Sequence, residues 1–235
     1  MTFAFESFID ELAAAAKADP VQFRLDMLTS ATEDGVFRKA RSLAVVSAAA
    51  RAYGWDARPS PRPATTRGKV LTGRGIAYTY RSNTIAATIA EVEVNRETGQ
   101  VRVKRLVCAH DCGLAINPAG LRHTVECGML HGLSRALYEE VQFDAEKVTS
   151  VDWLSSPSLR HSDTPETIDV VLVNGDPDPG RSDLPHYGAG ETSHKPVIAA
   201  VGNAIYDATG VRMRRAPFRK ERVLEAMKLA GAQKG

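Results

Sequence analysis

Cysteine is scarce here: Cys108, Cys112 and Cys127 are the only three in the chain. An odd handful of thiols excludes a self-contained disulfide framework and favours a reducing compartment, hence the cytoplasm unless a partner carries the chain across a membrane. No apolar run approaches the roughly 20 residues that a membrane-spanning helix requires. Charge of one sign is also missing. The 30 basic and 28 acidic residues interleave to a net charge of +2, and aromatic residues make up 6%. Neither a basic block nor an aromatic–basic stripe marks a nucleic-acid surface. The opening Met1-Thr2-Phe3-Ala4-Phe5-Glu6 has neither the basic region nor the apolar core of a signal peptide.

What is present is ordinary for a globular protein: 235 residues, 43% hydrophobic and 25% charged, enough for one large domain or two small ones. Phe5, Phe8, Ile9, Leu12 and Ala16 recur at helical spacing. Asp19-Pro20-Val21-Gln22 reads as an N-cap, a proline at the first helical position and a glutamine three after the cap. A third, alanine-rich helix is expected from Asp34 to Tyr53, and 54–70 reads as a Pro/Arg/Thr linker. The period then becomes strand-like. Ile76, Tyr78 and Tyr80 alternate, and Ile89–Val94 and Val101–Val107 form a hairpin across Asn95-Arg96-Glu97-Thr98-Gly99. Asn117-Pro118 starts a long helix to about Glu140, with Gly128 and Gly132 four apart to admit a close neighbour.

Further strands are expected at Val141–Phe143, Thr149–Trp153, Ile168–Val173 and Val211–Arg215. Helices are expected at Pro196–Thr209, ended by Gly210, and at Arg219–Ala230. The class is α+β, with an N-terminal helical segment (1–53), a linker (54–70) and an α+β domain (71–235).

Three groups of residues carry candidate chemistry. Gly188-Ala189-Gly190-Glu191 places one carboxylate on a glycine-flanked turn, after a long loop at 174–190 and before a helix. It fits a base working beside a cofactor, or an acid that caps the helix. No second acid and no serine or cysteine nucleophile is set up with it. Ser193 stands where a dinucleotide fingerprint needs its third glycine. Cys108, His110, Cys112, Cys127 and His131 have soft ligands, but C-x3-C is unusual for structural zinc, and Cys127 reads as a buried mid-helix residue. His186, His194 and Lys195 flank Glu191 and suit an anionic substrate, while Arg212, Arg214, Arg215, Arg219, Lys220 and Arg222 read as a solvated face or a partner interface.

Taken in order, several stretches resemble the C-terminal part of the molybdenum-cofactor subunit of the xanthine dehydrogenase/aldehyde oxidase family, isoquinoline 1-oxidoreductase β-subunit type. They are Phe5–Leu12 with Asp19–Arg24, Ile89–Val94, Asp111-Cys112-Gly113 with Ile116-Asn117-Pro118, Val125-Glu126 with Gly132-Leu133-Ser134, Gly188–Glu191 and Asn203–Gly210. The resemblance implies a molybdopterin-binding fold and a hydroxylase of electron-poor carbons that takes its oxygen from water. Glu191 would be the base, and Gly188, Ala189 and Gly190 would lie against the cofactor, a molybdopterin of the cytosine dinucleotide form. Molybdenum would be held through the pterin, with no direct protein ligand. Where relatives carry Gln-x-Glu-Gly, this chain has Thr124-Val125-Glu126-Cys127, and His131 stands at another frequent glutamine position. Thr124 is therefore the expected cofactor contact on that helix.

The Gly-Gln-Gly cradle of full-length relatives is not found here. The resemblance thus implies the C-terminal half of a divided catalytic subunit. Its partners would be an N-terminal half, a [2Fe-2S] subunit, and an FAD subunit or a cytochrome c with its haem, since three scattered cysteines cannot hold two such clusters. The substrate expected first is a nicotinate- or isoquinoline-like N-heteroaromatic ring. An aldehyde substrate, a non-catalytic scaffold and a stand-alone zinc protein are the competing readings.

Overall fold

The computed structural model describes residues 1–33, 38–62, 68–173 and 185–232. Three helices come first: α1 (Thr2–Ala15), α2 (Pro20–Ser30) and α3 (Lys39–Tyr53). Strands β1 (Val70–Arg81), β2 (Thr84–Asn95) and β3 (Val101–Asp111) follow, then α4 (Pro118–Leu137), β4 (Thr167–Leu172), α5 (Lys195–Thr209) and α6 (Lys220–Ala232). The expected start of α3 at Asp34, the linker at 63–67 and the 174–184 part of the long loop lie outside the described residues.

One four-stranded sheet in the order β1-β2-β3-β4 is the centre of the fold. β1, β2 and β3 form an antiparallel meander, and β4 runs parallel to β3. The β1–β2 turn is the dipeptide Ser82-Asn83 with φ of 50° and 64°, the twist that a two-residue hairpin needs. Helices cover both faces. Leu71, Ala86, Ala90, Val92 and Leu106 pack with α4, α5 and Val223 of α6, whereas Ile76, Ile85, Ile89 and Val107 pack with α2 and α3. Burial on both sides explains why β2 (TIAATIAEVEVN) reads as a nearly continuous apolar run in its first half.

The caps follow the sequence. The Asp19 carboxylate accepts from the Val21 and Gln22 amides at 3.0 and 2.8 Å, and Asn117 accepts from the Gly120 amide at 2.9 Å. Gln22 does not complete a capping box; its amide donates to Asp26 instead.

Three expected strands are not formed. Val141–Phe143 and Thr149–Trp153 do not form strands, leaving a single bridge between Phe143 and Val148. Their apolar side chains have no strand to lie against, and Val141, Phe143, Val151, Trp153 and Leu154 are exposed. Residues 211–215 are not a strand either. Their arginines divide: Arg214 and Arg215 are solvated, with side chains 69% and 72% exposed, whereas Arg212 is 13% exposed. Arg212 pairs with Asp10 at 2.7 Å, Arg214 with Glu11, and Arg215 and Arg222 with Glu140 at 2.7 and 2.8 Å. These contacts strap the chain between α1 and the end of α4. In α1, Ile9 and Ala13 are buried and Phe5, Phe8 and Leu12 are exposed.

The inner face of α1 is charged. Arg24 is 2% exposed and donates from Nε to the Glu6 carboxylate and from Nη2 to the Glu6 carbonyl, both at 3.0 Å. The third Arg24 nitrogen, Nη1, lies 3.5 Å from Asp10. Glu6 also accepts from the Tyr78 amide of β1 at 2.9 Å. Burial raises the pKa of Glu6, an effect opposed by Arg24 and the Tyr78 amide. Removing one member of a buried ionic cluster strands the rest. Arg24→Met is therefore expected to cost about 3–5 kcal/mol in urea unfolding, with partial recovery in the double substitution Arg24→Met/Glu6→Gln.

Candidate cofactor and catalytic site

The site forms at the end of the sheet where β1 stops, β2 begins and β3 ends. Asp111 builds its frame. Its carboxylate receives two hydrogen bonds from Arg41 of α3, at 2.8 and 2.7 Å, and one from the Gly113 amide at 2.8 Å. Gly113 has φ of 77°, and a Cβ there would overlap the Pro185 carbonyl, so glycine is needed on both counts. The returning strand is pinned to this turn. The Leu114 amide donates to Pro185 and the Tyr187 amide to Cys112, at 3.1 and 2.9 Å. One residue further on, the Gly188 carbonyl accepts from the Thr84 hydroxyl at 2.8 Å.

Gly188, Ala189, Gly190 and Glu191 follow on a turn that faces outward. A Cβ on Gly188 or Gly190 would meet no protein atom. The chain's own packing does not demand these glycines, and the turn is open to anything that lies against it. The Glu191 side chain is 68% exposed, 3.5 Å from Arg81 and 3.8 Å from Lys195. It is not the N-cap of α5, which is His194, whose own side chain makes no cap hydrogen bond.

The next residues turn inward. Thr192 and Ser193 are buried, and a close approach to α4 fixes them. A Cβ on Gly128 would overlap the Ser193 hydroxyl, and one on Gly132 would lie 2.6 Å from the His194 carbonyl and 2.8 Å from Val197 Cβ. This is the close neighbour that the Gly128–Gly132 spacing anticipated.

Thr124 lies one turn before Gly128, exposed, with its hydroxyl donated to the Gly120 carbonyl at 3.0 Å. It has lone pairs left to offer a ligand but no proton. His194 is half-buried and Lys195 has a side chain that is 17% exposed. The His194 pKa is lowered by burial, then by the charges of Arg135 and Lys195. The Lys195 pKa is lowered by burial and by Arg81, with Glu191 opposing. Arg81 and Arg135 carry no signal in the sequence.

The five Cys/His residues do not converge: among the described residues no group of three or more His, Cys, Asp or Glu could hold a metal ion. Cys127 is exposed, contrary to expectation. His110 is 1% exposed, and burial lowers its pKa to about 4, with Asp111 opposing. Among the described residues, both its ring nitrogens and the hydroxyls of Thr88 and Ser193 have no hydrogen-bonding partner.

A family model described as a molybdopterin cofactor-binding domain matches residues 4–165. A nicotinate dehydrogenase subunit of Pseudomonas putida is 38% identical over 234 residues, an alignment covering 96% of this chain and 18% of that protein. The isoquinoline 1-oxidoreductase β-subunit of Brevundimonas diminuta is 33% identical over 229 residues, covering 97% of this chain and 26% of that protein. The aldehyde oxidoreductase of Desulfovibrio gigas superposes with a TM-score of 0.76 over 97% of this chain and 40% of that one, at 16% identity, which establishes a shared fold.

Two outcomes are expected. Gly132→Ala must push apart α4 and the His194 carbonyl, costing about 1–3 kcal/mol in thermal unfolding. Between pH 6.5 and 4 the unfolded chain binds a proton at residue 110 that the fold resists. Stability should therefore fall with pH across that window by on the order of 3 kcal/mol. In His110→Leu that part of the slope should vanish from urea midpoints measured across the range.

Proposed function

The chain belongs to the molybdopterin cofactor-binding family, and from that premise we propose that it is the base-bearing C-terminal half of a divided molybdenum hydroxylase subunit. The observation that carries the reading is Glu191: an ionisable group on an open glycine turn, held between two cations and free of any structural role in capping. The residues present fit the cofactor on chemical grounds. Gly188, Ala189 and Gly190 give a flat backbone edge that a bulky ring system can approach, and Thr124 adds an acceptor on the neighbouring helix.

When bound, the cofactor supplies the redox chemistry and the Lewis acidity. The chain's own contribution is placement and proton transfer. Glu191 accepts a proton at its carboxylate from the water that hydroxylates the substrate. Arg81 and Lys195 stand 3.5 and 3.8 Å from that carboxylate and favour its charged form. The Thr84 and Asp111 contacts hold the turn behind it. The chain spans 18% and 26% of two curated relatives, and in the proposed assembly another polypeptide supplies the remaining cofactor contacts. The cytosine dinucleotide form of the cofactor, a [2Fe-2S] subunit, and an FAD subunit or cytochrome c complete the assembly we infer.

The substrate inferred is an electron-poor N-heteroaromatic ring, in line with the names of those relatives. Among the described residues no helix is long and apolar enough to cross a membrane.

Glu191→Gln, isolated in the assembled enzyme, should retain its molybdenum content and lose turnover by on the order of 10²- to 10⁴-fold. Full turnover in that variant would instead make the chain a scaffold.

A further inference from the structure

At the end of β1 away from the glycine turn, a cavity of about 130 Å³ opens between the end of α3, the loop that follows it and the strand's first residues. Arg74, in its wall, is separated from Arg81 by seven residues of extended strand, about 23 Å. We propose that this cavity is a binding site for a phosphate-type oxyanion, held by Arg62, Arg74 and the Thr72 hydroxyl. The inference does not rest on the function proposed above.

Arg74 is a buried cation without a counter-ion. It is 9% exposed. Its guanidinium stacks on the Trp55 ring at 3.9 Å and donates from Nη2 to the Asp56 carbonyl. Among the described residues its Nε has no partner, and no carboxylate lies within ion-pair reach of it. A guanidinium carries five donors, and a charge held out of water needs an opposite charge close by. Burial, and then the charge of Arg58, lowers the Arg74 pKa, with Asp207, Tyr53 and Asp19 opposing.

The acids nearby are bound to other groups. Asp207 accepts from both Nη atoms of Arg58, at 2.7 and 2.6 Å, and from the Ser60 hydroxyl at 2.9 Å. Asp19 caps α2 and accepts from the Trp55 indole at 2.8 Å. Glu91 stands opposite Arg74 in the strand register, and it accepts from the Tyr53 hydroxyl at 3.0 Å. Arg62 is exposed, and among the described residues its side chain has no partner. Two guanidinium groups without carboxylates thus line the cavity, against the single charge of Glu91. The volume is below that of a drug-sized ligand and has room for one tetrahedral ion. Its donors come from two segments, residue 62 and residues 72–74, which suits a group with several oxygens better than the one edge of a carboxylate. Free phosphate and a phosphate monoester share this chemistry.

Calorimetric titration of the full chain with inorganic phosphate should show one saturable site that weakens as sodium chloride is raised, and phosphate should raise the melting temperature. Acetate should bind about fivefold more weakly. Arg62→Gln should weaken phosphate by about three- to fivefold and Arg74→Gln by about tenfold. Glu91→Gln should tighten it, since the negative charge goes while an acceptor for Tyr53 stays. Phenyl phosphate binding as tightly as phosphate supports a site for the end group of a larger molecule, and phosphate binding alone supports a site for the free ion. The absence of a saturable site at millimolar phosphate overturns the proposal. So does an affinity that neither Arg62→Gln nor Glu91→Gln changes, and these two variants keep the test open should Arg74→Gln not fold. Binding that is lost in Arg81→Gln instead puts the anion at the glycine turn and overturns it as well.

Discussion

The approach of α5 to its neighbours, backbone against backbone, is the constraint on which the site depends. On one side it presses on β1. A Cβ on Gly73 or Gly75 would overlap backbone atoms of Ala200, Ala204 and Ala208. On the other side Gly128 and Gly132 of α4 admit Ser193, the His194 carbonyl and Val197. Gly202 faces the Phe3 and Phe218 rings, at 3.3 and 3.1 Å from where its Cβ would be. A helix gripped so closely on two sides has little freedom to slide or roll. Its first turn, and the carboxylate that precedes it, inherit that rigidity. The polar anchors at Thr84, Asp111 and Gly113 then only have to fix a short peptide against a frame already set.

Much of the fold could be read from residue patterns, because the relevant interactions are local. Asp19-Pro20 and Asn117-Pro118 cap and start helices through contacts within three residues. Gly210 ends α5 in a left-handed conformation, and the hairpin loop at Asn95–Gly99 carries its own turn chemistry. The readings that failed depended on partners distant in sequence. Val141–Phe143 and Thr149–Trp153 have strand-like composition, but no strand edge is presented to them. The arginines from 212 to 222 read as one surface stripe, whereas Arg212 and Arg222 are mostly covered beside Asp10 and Glu140. In α1 the apolar spacing signalled the helix, and its acidic face turns inward because Arg24 arrives from α2 to meet it.

The site shows the same division. The glycine turn and its acid were legible as a motif, since glycine spacing and a lone carboxylate are properties of four consecutive residues. Thr124 was named through resemblance alone, and the fold puts it on the helix that meets the turn. Arg81 and Arg135 were not legible at all. Their meaning comes from tertiary juxtaposition: one ends a strand, the other sits late in a helix, and neither lies near residue 191 in the chain. Asp111-Cys112-Gly113 was visible as a family stretch, yet its physical task, bracing the strand that leads into the turn, appears only when Pro185 and Tyr187 are seen bonded to it.

The inverted first helix has one more consequence. Its carboxylates are turned inward to Arg24, Arg212 and the β1 backbone, while Phe5, Phe8 and Leu12 look out. Such a helix gains nothing from being released into water. Freed, it would expose its greasy side still, and would leave two arginines stranded in the interior. The N-terminal stretch therefore acts as a keystone rather than a detachable lead, and shortening the chain from that end would take the middle of the molecule with it.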